Sequence, residues 1–291
     1  MVRHTAMQQW AGEPLRSGGG SMLSVVVDDT RDPAWNLALD EALARGGEPL
    51  PVLRIWQNAP SVVLGRFQDV SQAVDLTACA RDGVRVVRRA TGGGAVYTEA
   101  GTLNVTLVRS TGSAFPEHRS SGSAFPERRS AGPASADPRS GARPDLDVLV
   151  ATAVEGFGLP AAALRNGIIQ VARLRTRRVT LTHAAVHVTP LCAYGPCYVA
   201  PGEAGGYVAP DGAHARQRTL AEAGVEVTLD AVRAAILCAV VEEYGIACTR
   251  RPSAAERGLR DHLYGVRYGD VTWHLTGGLR SRQDSREFTG R

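Results

Sequence analysis

The 291-residue sequence is 44% apolar and 21% charged, the balance of a globular chain, and no apolar run approaches the roughly 18 residues that a membrane span requires. A formal charge of +4 and a pI near 9.0 favour acidic partners, but the charge is spread along the chain and marks out no nucleic-acid surface. All 33 basic side chains are arginine, because the chain contains no lysine, so no chemistry here can draw on a lysine amine.

Residues 1–22 have no apolar signal-peptide core and include a linker-like Ser-Gly-Gly-Gly-Ser, which predicts a disordered tail. Cys79, Cys192, Cys197, Cys238 and Cys248 form an odd, irregular set that suits reduced thiols in cytoplasm. A first strand is expected over Ser24 to Asp29. Asp32 as N-cap and Pro33 at the first helical position then start a helix that Gly46-Gly47 stop. Strands follow at Val52 to Trp56, Ser61 to Leu64 and Val84 to Val87, each bounded by Pro, Gly or Asp. Residues 109–144 contain a tandem SGSAFPE and are mostly Ser, Gly, Pro, Ala and Arg. Such a stretch buries too little to offset chain entropy and is read as a disordered insertion. Beyond it a helix is expected at Leu146 to Phe157, strands at Gly167 to Arg175 and Val179 to Val188, then helices at Leu229 to Tyr244 and Ala254 to Tyr264. His274 falls on a strand-like VRYGDVTWHL, and 277–291 form a polar tail. Helices interleaved with many strands, without regular βαβ spacing, predict an α+β domain over residues 23–276. Trp35, Trp56 and Trp273 are assigned to the core, with Trp56 also available as a wall for an aliphatic ligand. His262 and His274 are assigned ordinary half-buried positions.

The stretch RRATGGGAVYTEAGTLN, Arg88 to Asn104, sets three glycines between two arginines and an apolar run. Consecutive glycines bring backbone N–H groups close to a ligand, and a guanidinium fork beside them can grip phosphate or carboxylate oxygens. It is neither a Walker loop nor a dinucleotide fingerprint. A plain hairpin turn is the structural alternative.

This stretch resembles the signature of the lipoate–protein ligase family, Arg-Arg-x-Ser/Thr-Gly-Gly-Gly-Ala-Val-x-His-Asp-x-Gly-Asn-Leu-Asn. DPAWNLALDEAL is similar to the family's opening helix, WQNAPSVVLGRFQDV to its Gly-Arg-x-Gln strand pair, and RTRRVTLTHAAVHV to the strand ending in His-His-Gly. The resemblance implies the fold shared with biotin ligases and class II aminoacyl-tRNA synthetases, a mixed, mainly antiparallel sheet with flanking helices. It implies an enzyme that takes ATP, with Mg, and lipoate or octanoate to an acyl-adenylate and passes the acyl group to a lysine of a carrier, with no tightly bound cofactor and no metal site. The carrier would be the lipoyl domain of a 2-oxoacid dehydrogenase or a glycine-cleavage H-type protein, with a separate accessory ligase subunit as a further partner. By the same correspondence Arg89, Thr91, Gly92, Gly93, Gly94, Ala95 and His183 would bind the acyl-adenylate.

The family's lysine, sixteen residues before the histidine matched by His183, falls at Gly167. Arg173, Arg175, Arg177 and Arg178 stand nearby as replacements, or as an exposed basic strand edge. Thr98-Glu99 replaces the His-Asp pair. Two other functions therefore stand beside the ligase. One is a lysine-free pseudo-enzyme that binds lipoate, acyl-adenylate or carrier without turnover. The other is an octanoyltransferase working through Cys197, activated by His187 or His183. His187, Cys192 and Cys197 lack a fourth partner for a common zinc pattern.

Overall fold

The computed structural model describes residues 22–47, 49–111, 143–160, 167–191, 217–245 and 247–278. Nearly all of the predicted terminal tails and of the predicted insertion, and Cys192 and Cys197, lie outside these residues. The elements in chain order are β1 (Leu23–Val26), α1 (Pro33–Arg45), β2 (Val52–Trp56), β3 (Ser61–Leu64), α2 (Val70–Ala73), α3 (Leu76–Arg81), β4 (Arg85–Arg88), β5 (Val96–Thr98), β6 (Thr102–Ser110) and α4 (Leu146–Glu155). They continue with β7 (Ile169–Arg175), β8 (Val179–His187), α5 (Leu229–Tyr244), β9 (Ala247–Arg250), α6 (Ala254–Leu263) and α7 (Val271–Thr276).

Two sheets result: a six-stranded one, ordered β7-β8-β6-β2-β1-β9, and a three-stranded one, ordered β4-β3-β5. In the larger sheet the successive pairs β7-β8, β8-β6 and β6-β2 are antiparallel, whereas β1 is parallel to both β2 and β9. The predicted α+β class with a mixed, mainly antiparallel sheet is the observed one.

Strand alternation divides the larger sheet into two different faces. Leu53, Leu103, Val105, Leu107, Ala184 and Val186 point to one side and form the main core with Leu149, Val150 and Val154 of α4 and Val232, Ile236 and Val240 of α5. The opposite face is mixed in polarity and lies under α1 and the smaller sheet, where Leu37 and Ala38 of α1 cluster with Trp56, Val63 and Val87. The helix stays in register because Asp32 accepts hydrogen bonds from the amides of Ala34 and Trp35, and Pro33 needs no such partner.

Several expectations change. Arg109 and Ser110, assigned to the insertion from composition, are instead strand residues of β6, paired with Thr180 and Val179 of β8. The strand-like segment around His274 is helical: Asp270 caps α7 through the amide of Thr272, and His274 is buried. Trp35 is only half-buried, edge-on to Tyr264 and covered by Arg260, while His262 is exposed.

Candidate active site

A cavity opens between the two sheets beside α1, with about 480 Å³ of space, part of it open to solvent. Its wall is mostly apolar: Leu37, Trp56, Val63, Val96, Val171 and Ala172 contribute, while Ala185 leaves room where a larger side chain would fill the sheet surface. Trp56 thus serves as both core residue and cavity wall, its indole N–H donating to Thr106 Oγ1 at 3.0 Å. The polar lining comes from Arg89, Thr98, Asn104, Gln170 and His183.

The glycine segment borders this cavity at Gly94. Gly93 has φ +92°, a conformation that a side chain would strain, and Gly65, immediately after β3, lies so close that a Cβ there would sit 1.8 Å from the Gly93 carbonyl oxygen. Among the described residues, no hydrogen bond occupies the N–H of Gly92 or Gly93. Ala95 is buried behind the loop.

The two arginines have a different task from the anion grip their sequence suggests. Arg89 is 4% exposed and directs its guanidinium at carbonyl oxygens: Nη1 to Val63 at 3.0 Å, Nη2 to Gly92 at 2.7 Å and to Gly94 at 2.8 Å, with Nε to Gly92 at 3.2 Å. It holds the loop in shape. Burial, with Arg88 nearby, lowers its pKa to about 10, so it remains cationic at neutral pH. Arg88 likewise reaches the carbonyls of Gly65 at 2.9 Å, Gln68 at 2.7 Å and His274 at 3.0 Å.

Thr91 is fully buried, and its hydroxyl lies 3.4 Å from His183 Nδ1. The other ring nitrogen, Nε2, lies 3.1 Å from Asp40 Oδ2, within ion-pair distance but bent away from a good hydrogen bond. His183 is thereby held by protein on both edges. Asp40 receives Thr106 Oγ1–H at 2.8 Å and Arg54 Nη1 at 2.9 Å. Burial works to raise the Asp40 pKa, but the Arg54 charge, His183 and Thr106 outweigh it and hold the carboxyl below its ordinary value. A buried ion pair of this kind survives because each member retains hydrogen bonds. Arg54 also donates to the Asn36 carbonyl at 3.3 Å and stacks over Trp56 at 5.0 Å.

His187 lies two rows further along the same face of β8, beyond Ala185. Thr102 Oγ1 meets its Nδ1 at 3.0 Å and Gln170 Oε1 meets its Nε2 at 3.2 Å, while burial lowers its pKa to about 3. It is a neutral, enclosed histidine, with neither nitrogen free to activate a thiol.

Gly167 precedes β7 with φ +87°. Arg173 alternates onto the far face, where it pairs with Asp147 and lies 3.4 Å from Asp145 at the start of α4. Arg175 shares that face, and Arg177 and Arg178 are exposed in the β7–β8 turn. The replacement arginines therefore do not line the cavity. Asp40, Arg54, Asn104 and Gln170 were not singled out from the sequence. Their one signal is a polar residue inside an otherwise apolar strand or helix, as in VLRIW and IIQVA.

Residues 32–122 match the family model of the lipoyl protein ligase A/B catalytic domain. The lipoate-protein ligase A subunit 1 of Thermoplasma acidophilum is 37% identical over 89 residues, which span 30% of this chain and about a third, 34%, of that relative. A lipoate protein ligase structure from T. acidophilum with bound lipoic acid matches at a TM-score of 0.64 and 22% identity, over 87% of this chain and 99% of that one. A lipoate-protein ligase A bound with ATP matches at 0.65 and 21%, covering 87% and 98%. The bi-partite lipoate protein ligase of T. acidophilum, described with its E2 lipoyl domain, matches at 0.63 and 23%, covering 90% and 98%. At these identities the structures establish a common fold.

Proposed function

We propose that this chain, whose residues 32–122 match the lipoyl protein ligase A/B catalytic domain model, binds a lipoyl or octanoyl group as its adenylate and passes it to a lysine of a lipoyl carrier domain. The observation that carries the reading is the apolar cavity bordered by Gly94 of a glycine loop whose amides at Gly92 and Gly93 have no partner among the described residues. An aliphatic chain fits a wall of Trp56, Leu37, Val63 and Val96, and bare amides suit the anionic end of an activated acid. The ATP and lipoic acid bound by similar structures supply the substrate classes, and the bi-partite ligase with its E2 lipoyl domain supplies the carrier and a separate accessory subunit.

Arg89 enters this reading as the residue that shapes the loop, Thr91 as the one that orients His183, and His183 as the imidazole facing the acyl group. A second reading is binding without turnover. It draws on the absence of any lysine and on the turning of Arg173 away from the cavity.

Incubation with ATP, octanoate and an apo-lipoyl domain, with and without an accessory subunit, tests both. An ATP-dependent mass gain of the carrier supports the ligase. Binding of a non-hydrolysable octanoyl-adenylate analogue with no gain supports the second reading, and failure to bind it removes both. ATP-independent transfer that is lost in Cys197→Ser would assign the chain to the acyltransferases instead.

A further inference from the structure

One row of residues crosses four strands of the large sheet on its cavity side: Trp56 of β2 pairs with Asn104 of β6, Asn104 with Ala185 of β8, and Ala185 with Gln170 of β7. All four line the cavity. Asn104 is 8% exposed and Gln170 4%, yet among the described residues neither Asn104 Nδ2 nor Gln170 Nε2 has a hydrogen-bond partner. Two buried, unpartnered donors in one apolar cavity are an uncommon arrangement in a folded protein and call for an acceptor from outside it.

The orientation of the Gln170 amide follows from its neighbours. Gln217 uses its Oε1 for the Tyr97 amide and its Nε2 for the Tyr97 carbonyl, which fixes Nε2 as the atom 3.3 Å from His187 Nδ1. That ring nitrogen is therefore an acceptor, and the proton sits on Nε2, which donates to Gln170 Oε1 at 3.2 Å. Gln170 is left with its NH2 group free. Asn104 and Gln170 stand two strands apart, roughly 10 Å between Cα atoms at ordinary strand spacing, and their side chains can converge on one atom above the small Ala185.

We infer that Asn104 and Gln170 form a neutral donor pair that receives the acyl carbonyl oxygen of the ligand. This rests on the acyl-binding reading above and specifies it. The acyl oxygen is the acceptor that an otherwise aliphatic group brings into the cavity, and with the Arg89 guanidinium turned onto the carbonyls of Val63, Gly92 and Gly94 the uncharged amides of Asn104 and Gln170 are left to meet it.

The test compares two ligands by calorimetry: octanoyl sulfamoyl-adenosine, and its octyl analogue in which a methylene replaces the acyl carbonyl. The wild-type chain should bind the acyl compound about tenfold or more tightly, the factor of one well-made hydrogen bond. Asn104→Leu and Gln170→Met should each remove most of that preference and leave the octyl compound's affinity in place. Gln170→Glu keeps the acceptor for His187 while replacing the amide donor, so it decides the matter if another variant fails to fold. Equal affinity of the wild type for the two ligands, or a preference that survives in the folded variants, overturns the donor pair and leaves the acyl site standing. Binding of neither ligand overturns the acyl reading itself.

Discussion

Asp40 and Arg54 form a charged pair inside the protein, 1% and 0% exposed, and removing one partner leaves the other buried and uncompensated. Asp40→Asn should lower stability by about 3–5 kcal/mol in urea titration, whereas the double change Asp40→Leu with Arg54→Met should recover most of it. Equal losses would show that packing, rather than charge, sets the value. His187 makes a pH prediction. Its folded pKa of about 3 lies below the ordinary 6.5, so between those values the unfolded chain takes up a proton that the folded chain refuses. Stability must therefore fall as pH drops below 6.5, by up to roughly 1.4 kcal/mol per unit. His274, also lowered by burial, acts in the same direction, and Asp40 adds its loss only below the ordinary carboxylate value. Urea midpoints between pH 7 and 4 should decline less steeply in His187→Gln than in wild type, and parallel profiles would refute the assignment. His183 and the glycine segment were legible in the sequence at this scale, but the partners of each side chain were not. Arg89 looks the same in sequence whether its fork meets phosphate or the carbonyls of Val63, Gly92 and Gly94.

The elements most legible in the sequence carry their own signals. Asp32-Pro33 starts α1, β2 is an apolar five-residue run, and the helical spacing of Val232, Ile236 and Val240 marks α5. The short pieces were missed because four to six residues hold too little periodicity, as in α2, α3 and β9. The α7 segment VTWHLT has the β-branched and aromatic composition of a strand, but the Asp270 cap and the docking of Trp273 and His274 against Arg88 override that preference. Two changes test elements. Ser253→Ala removes half of the capping box with Glu256 and should lower stability by about 1 kcal/mol. Gly65→Ala drives a Cβ into the Gly93 carbonyl and must displace the glycine loop. It should weaken binding of the octanoyl-adenylate analogue by more than about tenfold while far-ultraviolet dichroism stays unchanged, since only the loop must move. Unchanged affinity would detach the loop from the site.

At the scale of the whole molecule, the stretch after α6 is bound back onto the first half of the chain. Glu41 of α1 receives Arg267 Nη1 at 2.8 Å and the Tyr268 hydroxyl at 2.6 Å, and Trp273 Nε1 donates to the Arg88 carbonyl at 3.0 Å. Arg88→Met removes the guanidinium that holds the His274 carbonyl. Amide exchange over Trp273 to Gly277 should then accelerate at least about tenfold, while the β6–β8 amides keep their protection. Uniform acceleration would mean that Arg88 supports the fold as a whole. The sequence by itself determined what is local: the run of glycines and the backbone freedom it gives, the caps and strand alternation, the missing lysine, and a family resemblance seated in contiguous motifs. Only the tertiary structure decided what is shared between distant strands. It set Asn104 and Gln170 on either side of Ala185, brought His183 between Thr91 and Asp40, and turned Arg173 to the far face. The reason is that alternation names a side chain's face within its own strand, whereas register between strands tens of residues apart chooses its neighbours, and a shift of one residue would reverse every one of them.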